Sequence, residues 1–565
     1  MAFKPLPIGV DDFEKLREHG YYYVDKTLLI KELLDKRGEV NLFTRPRRFG
    51  KTLNMSMLKC FFELSDLAGG QLFTGLKIME AGAAYLEHMG AYPVITLTLK
   101  STRQEDFETA YTKIVDAVAG EYRRHKAVLS GAQLDHVQKM RFTQIMDGTA
   151  KRSDYTASLR FLCEVLYQHY GKKAVILIDE YDVPLEHAYF TGYYDKMSFF
   201  IRSFFEEGLK SNPFMEFAVI TGCLRITKES IFTGLNNLKI NSILSANYDE
   251  YFGFLQAEVD HMAHFYGIDK NDSTVFKDWY NGYTFGTKKV YNPWSVINHM
   301  EILYVDRAHA WPTSHWANTS SNRIIRSLVE RADLSTKEEL ERLIGGGTIE
   351  KPIHEDITYD DIEKSEDSLW NFLFFTGYLT MCDRRMMNGV PYVTMAIPNA
   401  EVLYLYKTKI LDWFQEQIQR KNMTGLYDSI VSADVVRFQE ELTQILRESI
   451  SFYDNKEAFY HGFLLGLLER MEDYVVSSNQ ESGDGRYDIM LKSPDIGKPV
   501  MIFELKIADS YRAMETAAHL AINQIREKHY GEGLSRDGYS NLLCYGIAFY
   551  KKNCCVIMER CQIQS

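Results

Sequence analysis

Short apolar runs alternate with helix-length amphipathic segments through residues 1–245, a rhythm that predicts an α/β domain around a largely parallel sheet. Four runs read as buried strands because β-branched and aromatic residues dominate them: 39–44, 92–99, 173–179 and 216–221. Helical patterns fall around 52–64, 104–127, 157–170 and 195–210. The pattern then turns mostly helical, giving a lid or connector over 246–350 and a helical linker region over 351–454, for which a winged-helix-like arrangement is one option. Within the connector, Tyr280, Tyr283, Tyr291 and Trp294 can stack on bases, but beside Gly, Asn and Pro the simpler expectation is that they brace turns. Residues 455–565 change character again: a helix around 456–474, strands around 486–492 and 500–506, a helix around 511–530 and a strand pair around 541–559. That order predicts a second, smaller α/β domain.

Composition narrows the classes. A chain of 565 residues can bury several cores, and 45% hydrophobic with 25% charged residues is ordinary globular usage. The net charge of −12 excludes a general polybasic coat, so a nucleic-acid site has to be a local groove. Eight cysteines without a C-x-x-C spacing read as reduced thiols in a reducing cytoplasm, and no apolar stretch of about 18 residues suggests a membrane span.

The first candidate chemistry follows the first strand, where Arg45-Pro-Arg-Arg-Phe-Gly-Lys-Thr52 opens a helix. A Gly-Lys-Thr at a strand-to-helix turn surrounds phosphates with backbone N–H groups, with Lys51 toward the β- and γ-phosphates and Thr52 toward Mg²⁺. The usual loop begins with glycine, and this one has Arg45. The strand 173–179 ends in Asp179 and Glu180, suited to holding the Mg²⁺ water shell and to orienting or deprotonating the attacking water. This order is what a P-loop ATPase of the additional-strand, catalytic-Glu type requires; the plain alternative is a strand end that caps the next helix. Thr221 or Arg225 at the end of the next strand can sense the γ-phosphate or simply turn the chain, and Arg47 and Arg48 can bind phosphate or pair with acids. With Phe49 and Gly50 they complete the expected ATP-binding set.

The second candidate lies near the end, in Gly483-Asp-Gly-Arg-Tyr-Asp488 and Met501-Ile-Phe-Glu504-Leu-Lys506. Neighbouring strands can bring Asp488 and Glu504 together on Mg²⁺ or Mn²⁺, and Lys506 shares a face with Glu504 two residues away, where it can stabilise charge on water or phosphate. The helices on either side, 521–530 and 455–462, resemble the Gln-and-Tyr helix and the opening helix of PD-(D/E)XK nucleases, and that resemblance implies roles for Gln524 and Tyr530 and makes Glu457 a further metal ligand; Glu481 and Arg486 are candidate outer-shell or DNA-contact groups. A salt-bridged remnant would use the same residues. His461 and His529 are expected to pack or face solvent.

These motifs, with Tyr22-Tyr-Val-Asp-Lys-Thr27, Phe232-Thr-Gly-Leu-Asn-Asn-Leu238 and Trp279-Tyr-Asn-Gly-Tyr283, resemble the bacterial AAA-ATPase-like proteins often fused to a PD-(D/E)XK nuclease-like domain. The resemblance makes Arg45 part of the family's own pattern and implies ATP and Mg²⁺ as cofactors, DNA as partner, and DNA processing or defence against foreign DNA as the role. An ATP-driven switch or scaffold whose nuclease-like domain binds without cutting is the alternative. Self-association and the source of an arginine finger stay open at this level.

Overall fold

In a computed structural model the chain divides into two compact units, Met1–Ser321 with Thr348–Leu405, and Asn322–Gly347 with Tyr406–Ser565. The structure describes residues 3–561 except 65–68, 132, 225–230, 233, 317–333, 356–365, 409–422, 450–456, 479–480, 483–484, 531–533 and 536.

The first unit is built on five parallel strands: β1 (Val40–Thr44), β2 (Val94–Thr98), β3 (Ala174–Asp179), β4 (Met215–Gly222) and β5 (Leu238–Asn241), in the order β2-β3-β4-β1-β5. Every residue of β1 and β3 is buried, as expected of strands covered on both faces. Helices Lys51–Phe62, Phe107–Arg124, Ser158–Tyr170 and Tyr194–Leu209 match the amphipathic segments. Because all five strands run the same way, the ends of β1, β3 and β4 converge, and Thr44, Asp179 and Gly222 come to one edge of the sheet.

The connector adds helices Gln256–Phe265, Lys270–Tyr280 and Pro293–Val305 and a hairpin, β6 (Tyr283–Phe285) with β7 (Lys288–Val290). Tyr280, Tyr283 and Tyr291 are almost wholly buried there, so they brace the turns. The stretch 351–454 departs from its helical expectation. It carries β9 (Thr380–Met387) and β10 (Val390–Ala396), which pair with β8 (Ile349–Pro352) as a three-stranded antiparallel sheet in the first unit. Residues 382–386 of β9 are exposed on both faces, so no alternation of apolar and polar positions announces the strand, and Asn388-Gly389, both at positive φ, make the tight turn. Helices Thr424–Ser432 and Val435–Ser449 fall instead in the second unit.

The second unit holds a mixed sheet ordered β11-β14-β15-β16-β17, comprising β11 (Val475–Ser478), β14 (Ile489–Lys492), β15 (Val500–Ile507), β16 (Leu542–Tyr550) and β17 (Asn553–Cys561), with a separate two-residue pair, β12 (Glu481–Ser482) and β13 (Gly485–Arg486). Strand β15 divides its residues by parity. Met501, Phe503 and Leu505 join a core with Phe438, Leu442, Tyr460 and Leu464, while Val500 and Ile502 pack with Ile522 and Ile525 of the helix Met514–Glu527. Cys544 and Cys561 are joined as a disulfide across β16 and β17, which corrects the expectation of eight free thiols. Among the described residues no helix is long and apolar enough to cross a membrane.

Candidate functional site

The loop after β1 is shaped by two left-handed residues, Arg48 (φ +70°) and Gly50 (φ +79°), the second standing at the N-terminus of the helix Lys51–Phe62. Thr52 Oγ1 donates to Asp179 Oδ2 at 2.7 Å, and the Thr221 hydroxyl donates to Asp179 Oδ1. Asp179 is thereby held between β1's loop and β4, with Glu180 (φ +53°) next to it. Lys51 Nζ donates to the carbonyls of Arg45 and Pro46, both at 2.9 Å, and lies 3.6 Å from Cys223 Sγ. A cavity of about 510 Å³ borders the loop, its wall including Glu180, Tyr22, Tyr23 and Trp294. That volume lies within the usual range for small-ligand sites.

The other loop residues have partners of their own. Arg47 forms an ion pair with Glu186 at 2.5 Å; burial pulls its pKa down, but the Glu186 carboxylate outweighs this and holds it above the ordinary value. The Arg48 guanidinium lies 4.2 Å from the centroid of the Trp294 ring. Phe49 packs its ring against Tyr283 and Phe285, leaving its backbone as the part available to a phosphate. Arg225 lies outside the described residues.

Arg45 is fully buried and acts as a staple. It donates to the carbonyls of Thr44 and Asn241 at 2.9 and 2.7 Å, and more weakly to Tyr248 at 3.4 Å, between the rings of Phe252 and Phe285. Burial lowers its pKa to about 9. Arg45→Gly, which restores the usual loop residue, should remove about 3 kcal/mol of stability by leaving buried carbonyls unpaired over a cavity. The check is calorimetry of the full chain, where one unfolding transition should move down by several degrees and an unchanged scan would refute the staple.

In the second unit, the register that sets Ile489 opposite Phe503 brings Asp488 beside Glu504. Asp488 Oδ2 accepts the N–H of Leu505 at 2.8 Å, and its backbone carbonyl accepts from His461 Nε2 at 3.0 Å, so His461 supports the site's backbone. Glu504 is 1% exposed; its Oε1 accepts from Lys506 Nζ at 3.3 Å and from the Gln524 amide, and its buried Oε2 has no hydrogen-bond partner among the described residues. Burial first, and the Asp488 charge second, raise its pKa to about 7. Gln524 also donates to the Tyr530 hydroxyl at 3.2 Å, which in turn donates to the Arg486 carbonyl at 2.8 Å. The Arg486 side chain is exposed. Glu457 lies on the helix Glu457–Leu468 and Glu481 on β12, but their side chains are outside the described set.

Comparison with known proteins matches this division. Residues 7–232 match the family described as Predicted AAA-ATPase, and residues 455–559 match the PD-(D/E)XK nuclease superfamily. The chain is a fusion of these two domains. A relative described as an uncharacterized protein in the vnfD 5′ region of Azotobacter chroococcum mcd 1 is 26% identical over 551 residues, covering 94% of each chain.

The AAA-ATPase-like domain fits a Mg²⁺-nucleotide, since Lys51, Thr52 and Asp179 meet at one sheet edge beside an open cavity. The nuclease superfamily domain fits a hard divalent cation, because the unpartnered buried oxygen of Glu504 stands beside a second carboxylate. Among the described residues no cluster of three or more His, Cys, Asp or Glu could hold a metal ion. Sequence reasoning missed Asp182, which is buried, accepts the N–H groups of Cys223 and Leu224 at 2.7 and 3.0 Å, and has a pKa raised to about 6 by burial and by Glu186. The signal was Gly222: a Cβ there would stand 2.5 Å from the Tyr181 ring and 2.8 Å from Asp182 Oδ1.

Proposed function

We propose that the AAA-ATPase-like domain hydrolyses ATP and that its nucleotide state controls or positions a metal-dependent nuclease acting on DNA. The observation that carries the nuclease reading is the buried Glu504 oxygen, which has no partner among the described residues, beside Asp488 and with Lys506 on the same strand face. A carboxylate left in that state costs stability unless something else satisfies it, and a cation does so. Lys506 then faces the scissile phosphate and stabilises charge there, Gln524 fixes the orientation of Glu504, and Tyr530 fixes Gln524. A bound divalent cation supplies Lewis-acid activation of water and phosphate.

At the other site, Lys51 leaves the loop carbonyls for the β- and γ-phosphates, Thr52 and Asp179 hold the Mg²⁺ shell, and Glu180 takes the proton of the attacking water. The position of β4 between β1 and β3 supports the additional-strand, catalytic-Glu subtype. A second reading, a DNA-binding switch that does not cut, is favoured by the 3.3 Å Lys506–Glu504 contact, which also suits a salt-bridged remnant.

The test incubates the full chain with linear, circular, single-stranded and branched DNA in Mg²⁺ or Mn²⁺, with and without ATP. Metal-dependent cleavage that changes with ATP is the expected result. Absence of cleavage on the whole panel, with DNA binding retained, would hand the site to the second reading.

A further inference from the structure

Three arginines line the cavity beside Lys51 and Glu180: Arg47, Arg48 and Arg103. Arg47 is committed to Glu186 and Arg48 to the face of Trp294. Arg103 is exposed and, among the described residues, makes no hydrogen bond or ion pair.

Its backbone is held firmly. In the parallel register of β2 and β3, Thr98 stands opposite Asp179, and the next residue, Leu99, donates its N–H to the Asp179 carbonyl at 3.1 Å. The chain then makes the short 3₁₀ turn Lys100–Thr102, in which buried Thr102 bonds back to the Leu99 carbonyl at 2.7 Å. Beyond Arg103, the Gln104 carbonyl accepts from the Tyr193 hydroxyl at 2.7 Å. A turn pinned on both sides thus places Arg103, without a partner among the described residues, in the cavity wall just beyond the strand next to Asp179 and Glu180. Its neighbour Lys100 is held only loosely, 3.8 Å from Asp11, with both side chains mostly exposed.

We infer that Arg103 is a catalytic residue for ATP hydrolysis that acts within its own chain, on the γ-phosphate. This rests on the nucleotide reading above. In the reaction water attacks the γ-phosphorus, the bond to the β–γ bridging oxygen breaks, the water proton passes to Glu180, and ADP and inorganic phosphate leave. Negative charge grows on the bridging and γ-phosphate oxygens as that bond lengthens, and a guanidinium there stabilises the transition state more than bound ATP. Arg47 and Arg48 would each have to give up an existing partner to do this; Arg103 has none to give up among the described residues.

The test uses the full chain and four variants: Arg103→Ala, Arg103→Lys, Glu180→Gln and Lys51→Ala. Arg103→Ala should lower kcat by about a thousandfold, in keeping with other arginine fingers. Its affinity for ADP should match the wild type, while the wild type's preference for a non-hydrolysable ATP analogue over ADP should be lost; Arg103→Lys should fall between. Mixing Arg103→Ala with Glu180→Gln should give no more turnover than the two separately, because each chain lacks one group of its own site. Wild-type turnover and nucleotide preference in Arg103→Ala would overturn the inference. Restored turnover in the mixture would overturn it too, by showing that the arginine serves a neighbouring copy. Failure of the underlying reading looks different: Lys51→Ala would then bind and hydrolyse ATP like the wild type, or the wild type would bind no nucleotide, and the inference would fall with it.

Discussion

Lys506→Ala should reduce metal-dependent DNA cleavage to the level of a protein-free control while leaving the second unit folded. The side chain is 27% exposed and its ion-pair partner is Glu504 at 3.3 Å, so truncation opens no large cavity. Its loss removes the cation that would face the developing charge on the phosphate, and a water molecule in its place supplies no fixed positive charge. Asp488→Asn is a poorer probe, because Asp488 also anchors the Leu505 N–H. Cleavage of a fluorescent DNA panel, read beside thermal melting and DNA binding, checks the expectation. Cleavage unaffected by Lys506→Ala would remove this site from the chemistry altogether.

Glu180→Gln should hydrolyse ATP about a thousandfold more slowly while still binding it. The substitution keeps size and shape in a left-handed backbone position and removes only the ability to accept a proton. Phosphate release measured beside equilibrium ATP binding separates the two effects, and normal turnover would dismiss Glu180 as the base. The same variant, held in its ATP-bound state, also reports on control: its DNA cleavage should differ from that of the wild type supplied with ADP.

What could be read from the chain before its structure follows from where the determining contacts lie in sequence. Strands β1, β3, β4 and β15 stood out because burial on both faces demands unbroken apolar runs. Strand β5, Leu238-Lys-Ile-Asn241, escaped notice because it is an edge strand with polar residues in alternate positions. Lys51, Thr52 and Glu180 were legible because short local patterns carry them, and the parity of β15 was enough to pair Glu504 with Lys506. Arg45 was visible as a departure from glycine, yet its role depends on the carbonyls of Asn241 and Tyr248, about two hundred residues further on. Arg47's partner, Glu186, is 139 residues away, and no local pattern announces such a pairing.

The division of the chain has a consequence for truncation. Residues 334–347 belong to the second unit, the chain returns to the first at Gly347–Thr348, and it leaves again after Leu405. A gene shortened to end at codon 405 would keep residues 334–347, including buried Leu340 and Leu343, but lose the rest of the unit they belong to. A gene beginning at codon 406 would lack them. Neither half can therefore be separated by a single cut in the chain without orphaning a piece of the other.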